Sequence, residues 1–67
     1  MCLSIPGKII KKDQVGYQIE YPEVKVEINN SLIKNLKIGD WVIVQQKFIT
    51  QKLTSTQAKE IYKLMKL

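Results

Sequence analysis

Histidine and arginine are both absent from this 67-residue chain, and cysteine occurs once. Without histidine there is no Ser-His-Asp or Cys-His arrangement, and the commonest general base and metal ligand is missing. One cysteine excludes an internal disulfide and leaves structural zinc, which needs about four Cys or His ligands, without a cage. Because every basic residue is lysine, the bidentate guanidinium contacts that lead in base and phosphate recognition are missing too. Gly7, Gly16 and Gly39 stand far apart, so there is no Gly-rich phosphate loop. Asp13, Glu20, Glu23, Glu27, Asp40 and Glu60 are scattered and imply no carboxylate pair in one cleft. Catalysis by the chain alone is not expected. No apolar run approaches the ~20 residues of a membrane span, and no signal-peptide h-region follows the first lysine.

What is there is ordinary for a small folded domain: 45% hydrophobic and 25% charged residues, too apolar for disorder. The length holds one domain, residues 1–67, with a modest core. The net charge of +5 can steer towards acidic partners, but a solvated lysine surface is the better account of it. A single thiol suits a reducing cytoplasm, the expected location.

The chain reads as strands followed by a helix. Lys8–Lys12 continues as a strand from a turn at Pro6-Gly7. Val15, Tyr17, Ile19 and Tyr21 alternate with polar residues, and Val24, Val26 and Ile28 do the same beyond Pro22-Glu23, which predicts a hairpin. Asn29-Asn30-Ser31 is a turn cluster, with Ser31 placed to cap a helical turn over Leu32–Asn35. After Gly39-Asp40, the apolar run Trp41–Val44 predicts the most buried strand, extending to about Thr50. Thr54 and Gln57 have capping-box spacing. Ala58, Ile61, Tyr62 and Met65 then share a helical face, widened by Leu64 and Leu67. Four or five antiparallel strands over 1–50 and a helix over 54–67 predict a small OB-like β-barrel with a C-terminal α-helix.

The chemistry concentrates at Met1–Gly7. Small second residues permit removal of the initiator methionine, which would leave Cys2 with an amine of pKa ~8 beside a thiol of pKa ~8.5. Such a pair is a soft metal ligand and a competent nucleophile. The plainer reading makes Cys2 a small core hydrophobe carried inward with Leu3 and Ile5 on a first strand. One thiolate does not hold a metal firmly alone, but it can hold one jointly with a partner, so a carrier or adaptor is the natural candidate.

Met1-Cys2-Leu3-Ser4-Ile5-Pro6 resembles the opening of the HypC/HupF hydrogenase assembly chaperones. Leu36-Lys37-Ile38-Gly39-Asp40-Trp41-Val42-Ile43-Val44 is similar to their second signature, Phe48 falls where they carry a phenylalanine, and the tail from Thr54 with Gln57-Ala58 is similar to their C-terminal helix. The resemblance spans essentially the whole chain. It implies an OB-like chaperone of [NiFe] hydrogenase maturation. Cys2 would be an iron ligand, holding an Fe(CN)2CO centre together with a HypD-like iron–sulfur protein. It would then contact the hydrogenase large-subunit precursor to which the iron is delivered. Cys2, Leu3 and Pro6 would form the partner contact, with Pro6 shaping the segment.

Two departures stand out. Gln45 occupies the position where the family shows a histidine, and a glutamine amide is a poor ligand for soft or borderline metals. Lys47 and Ile49 replace small residues beside Phe48. Two alternatives carry no iron: an adaptor of the same fold, and a basic nucleic-acid-binding barrel using Tyr17, Tyr21, Trp41 and Phe48 for stacking. Against the second, Trp41 and both tyrosines are expected to face inward.

Overall fold

The computed structural model describes residues 3–65. It holds β1 (Leu3–Lys12), β2 (Tyr17–Glu20), β3 (Lys25–Ile28), β4 (Asn30–Ser31), β5 (Trp41–Gln45), β6 (Phe48–Leu53) and α1 (Ser55–Met65). The strands form one sheet in the order β3-β2-β1-β5-β6-β4, antiparallel except for the β4–β6 pair. The fold is a small, mainly β domain with a C-terminal helix.

The sheet is curled, because its two edges, β3 and β4, are separated in sequence by Asn29 alone. Consecutive Cα atoms lie ~3.8 Å apart, so this one residue holds the edges together at that point. Hydrogen bonding does not close the ring, and the expected barrel is an open, curled sheet. A one-residue link is too short to turn β3 and β4 into a ladder, and β4 offers only two residues.

The concave side buries Ile9, Ile19, Tyr21, Ile28, Leu36, Val42, Val44 and Ile49, with Ile5, Tyr17, Val26 and Ile33 packed against them. Tyr17 and Tyr21 face inward as their parity with Ile19 predicts. Leu36 comes from the β4–β5 loop and is fully buried, and Lys12 Nζ donates to its carbonyl oxygen at 2.8 Å. The predicted helical turn over Leu32–Asn35 does not form. Ser31 Oγ instead accepts from the Ile33 amide at 2.9 Å and donates to the Ile33 carbonyl at 2.8 Å, a local loop that competes with helix.

The β2–β3 hairpin forms over a shorter length than the alternation suggests. Val15 is exposed in the β1–β2 turn, where Asp13 Oδ1 accepts from the Val15 and Gly16 amides at 2.9 and 3.0 Å. Val24 is also exposed, in the Pro22-Glu23 turn closed by Tyr21 N–H donating to Val24 O at 2.8 Å.

Two other strands differ from expectation. Pro6-Gly7 makes no turn: β1 runs through it, with Leu3 paired to Val44 and Gly7 to Val42. Three residues therefore face one, and Pro6, which has no N–H to offer a ladder, sits in the resulting bulge. The apolar run from Trp41 also breaks. Gln46 (φ 52°) and Lys47 (φ 68°) form a tight turn between β5 and β6, with the left-handed backbone that suits the twist of paired strands. A second bulge between the Ile43 and Val44 pairings lets Ile49 face the core while Leu53, opposite Trp41, faces the other side.

That outer side receives α1, which contacts β1 and β6. The capping box forms as its spacing predicts. Thr54 N–H donates to Gln57 Oε1 at 2.9 Å, and Gln57 N–H donates to Thr54 Oγ1 at 3.1 Å. Ala58 is buried and Ile61 and Tyr62 are half-buried, but Leu64 is 83% exposed and does not widen the packed face. Leu67 lies outside the described residues.

Candidate functional site

The residues singled out by sequence converge on two adjoining places along β1. Cys2 lies outside the described residues; in sequence it precedes Leu3, the first residue of β1. Leu3 is paired with Val44, and the next residue of β5 is Gln45. The family's cysteine and histidine positions are therefore each one residue beyond the same pair. Gln45 is exposed, is paired with Phe48 across the turn, and accepts a long hydrogen bond from Thr50 Oγ1 at 3.5 Å.

Around Gln45 lies a hollow of about 380 Å³ lined by Leu32, Gln45, Gln46, Phe48 and Thr50. Leu32 is 68% exposed and Phe48 40% exposed. The family resemblance singled out Phe48 without placing it beside Gln45, and nothing in the sequence pointed to Leu32. What brings Leu32 to this end is the parallel pairing of Asn30 with Phe48 and Ser31 with Ile49, continued by Leu32 N–H donating to Ile49 O at 2.8 Å. A two-residue parallel pairing leaves no periodic signal in the sequence. The hollow offers a partner two apolar side chains and a neutral amide.

Pro6 stands further along β1. Its ring is fully buried, so it acts on the path of the segment rather than as open surface. The Tyr62 hydroxyl donates to the Pro6 carbonyl, and burial raises the Tyr62 pKa above its ordinary value. Next to Pro6, a methyl group added to Gly7 would press first on Ile19 Cγ2 and then on Tyr21 Cε1 at 2.8 Å, so only glycine fits. The Tyr21 pKa is raised as well, first by burial and then by Tyr62. The Tyr21 hydroxyl is buried with no hydrogen-bond partner among the described residues.

Trp41, expected in the core, is half-buried on the helix side. Its ring meets Tyr62 edge-on at 6.0 Å, and Lys8 Nζ lies 5.9 Å from its centroid. The parity of β5 explains this: Val42 and Val44 point into the core, which turns Trp41 and Ile43 outward. Of the four aromatics considered for base stacking, Tyr21 is buried, Tyr17 packs against the core and Trp41 is engaged by Tyr62.

Among the described residues no three His, Cys, Asp or Glu side chains are grouped to hold a metal ion, and no helix is long and apolar enough to cross a membrane. No curated protein matches the chain. The sequence model of the HupF/HypC family matches residues 1–65. With that match spanning nearly the whole chain and carried by one β domain, the chain belongs to the HupF/HypC family.

Proposed function

We propose that this protein is a [NiFe] hydrogenase maturation chaperone that uses Cys2 to help hold an Fe(CN)2CO centre. In this role it carries the centre between a HypD-like iron–sulfur partner and the hydrogenase large-subunit precursor. Family membership supports a role in hydrogenase maturation generally. The observation that carries the finer assignment is the Leu3–Val44 pair, which anchors the strand bearing Cys2 beside the exposed end of β5 and the Leu32–Phe48 hollow.

The chemistry follows from what one thiolate does. Iron is cargo here, and a single soft ligand binds it weakly enough to release it. The remaining ligands come from whichever protein is docked. Docking of apolar partner side chains over Leu32 and Phe48 excludes water, which strengthens each polar contact beside them. Lys8, Lys11, Lys12 and the other lysines, with a net charge of +5, steer the chain towards an acidic partner surface.

Gln45 favours a second reading, an adaptor that guards a precursor without carrying iron, because its amide replaces the better nitrogen ligand of the family. One experiment separates the two. Wild type and Cys2→Ala are captured with their partners from native extract without oxygen, and infrared spectra are searched for cyanide and carbonyl bands. Bands and partners present in wild type and lost in Cys2→Ala support iron delivery. The same partners in both samples, without bands, leave the adaptor. Failure to recover either partner overturns both.

A further inference from the structure

We infer that Tyr62 is a positioning residue for the N-terminal segment. Its hydroxyl holds the Pro6 carbonyl in the β1 bulge and so sets the course of the strand that carries Cys2. This deepens the chaperone assignment and rests on it for its consequence, although the positioning itself is testable without any partner.

Regular pairing of β1 with β5 is interrupted between Leu3 and Gly7, so residues 4–6 lack the ladder that fixes an ordinary strand. A bulge of this length needs another anchor, and Tyr62 provides it from 56 residues away. The anchor is itself braced. Trp41 meets the Tyr62 ring at an interplanar angle of 66°, and Lys8 covers Trp41. A ring held in this way loses little freedom when its hydroxyl bonds. Beside the bulge, Gly7 lies against Ile19 Cγ2 and the Tyr21 ring, which leave no room for a methyl group. Of these neighbours it is Tyr62 that hydrogen-bonds to the segment. Helix α1 thus bears directly on the segment leading to Cys2, four residues before Pro6.

The test is Tyr62→Phe, which keeps the ring against Trp41 and removes the hydroxyl. Ile28→Val serves as the control: it trims the core from β3, which pairs with β2 and not with β1. Three readouts are compared: amide hydrogen exchange, the rate at which iodoacetamide alkylates Cys2, and partner capture. Loss of one hydrogen bond predicts exchange at Gly7, the paired residue beside the bulge, faster by roughly three- to ten-fold, with the β2–β3 hairpin unchanged. The alkylation rate of Cys2 is expected to shift by a comparable factor, and Ile28→Val to leave it alone. Wild-type exchange and alkylation in Tyr62→Phe would overturn the proposal. So would faster exchange spread evenly over all strands, or an equal alkylation shift in Ile28→Val. If exchange and alkylation respond but wild type captures no partner, positioning stands and the chaperone assignment fails. If wild type captures partners with iron bands and Tyr62→Phe behaves identically in all three readouts, the assignment stands and positioning fails.

Discussion

Leu3 and Val44 face each other across β1 and β5, and the next residue of β5, Gln45, is exposed at the strand end. A histidine at position 45 would therefore stand one residue beyond the Leu3–Val44 pair, at no cost to the core. Gln45→His is expected to raise retention of ferrous iron, measured without oxygen on the purified chain, by several-fold or more, because an imidazole nitrogen binds it better than an amide. The gain should disappear in the double variant with Cys2→Ala, as coupling between neighbouring ligands requires. A gain that survives loss of the thiol would place the iron elsewhere.

Lys47 has φ 68° and Gln46 φ 52°, a backbone that costs a residue with a Cβ roughly 1 kcal/mol or more. Position 47 is also one where the family resemblance expects a small residue. Lys47→Gly removes that strain, and the gain is partly offset by the greater freedom of glycine when unfolded. The expected outcome is stabilisation by about 0.5–1 kcal/mol, seen as a higher urea midpoint with an unchanged slope. An equal or lower midpoint would show that the turn is not strained.

Period two found β2 and β3, and period 3.6 with Thr54 and Gln57 found α1 and its cap. These signals are local and were legible. The Gln46-Lys47 turn was not, because neither residue is Asn or Gly, the usual marks of that backbone. Pro6-Gly7 carries strong turn chemistry, yet tertiary context used it differently: the missing N–H suits a bulge, and the missing side chain admits Tyr21. Trp41 was misplaced because a continuous apolar run does not say which face is core. Leu32 and Tyr62 entered the site through pairings far apart in sequence, Asn30 with Phe48 and Tyr62 with Pro6. Of the candidate site, the sequence showed Cys2, Leu3, Pro6, Gln45 and Phe48 as positions of interest but not their arrangement.

Leu36 is a loop residue with a core residue's burial. It packs with the inner residues of the sheet, and its carbonyl is tied to Lys12. Leu36→Ala removes the packing and leaves a cavity, at a cost of about 2–5 kcal/mol. The whole domain is held by only a few to about 10 kcal/mol. The variant is therefore expected to be largely unfolded or to melt far below wild type by circular dichroism. Exposed Leu32→Ala, four residues earlier, should leave the melting curve almost unchanged. If Leu32→Ala proved the more damaging, the loop would not plug the sheet as described.

Tyr21 and Tyr62 both have pKa values raised by burial, which favours their neutral forms in the folded chain. A raised folded pKa means that the folded chain holds its protons more tightly than the unfolded chain does. Stability from these hydroxyls is complete below the unfolded value of about 10 and is lost as pH rises through the folded values. The urea midpoint should therefore fall as pH rises above about 10. Part of that fall belongs to Tyr62, whose ionised oxygen can no longer donate to the Pro6 carbonyl. Tyr62→Phe should lower the midpoint at about pH 9, where the hydrogen bond is intact, and show a shallower alkaline decline than wild type. Parallel alkaline declines would mean that Tyr62 ionises alike in both states and that its hydroxyl is not held as described.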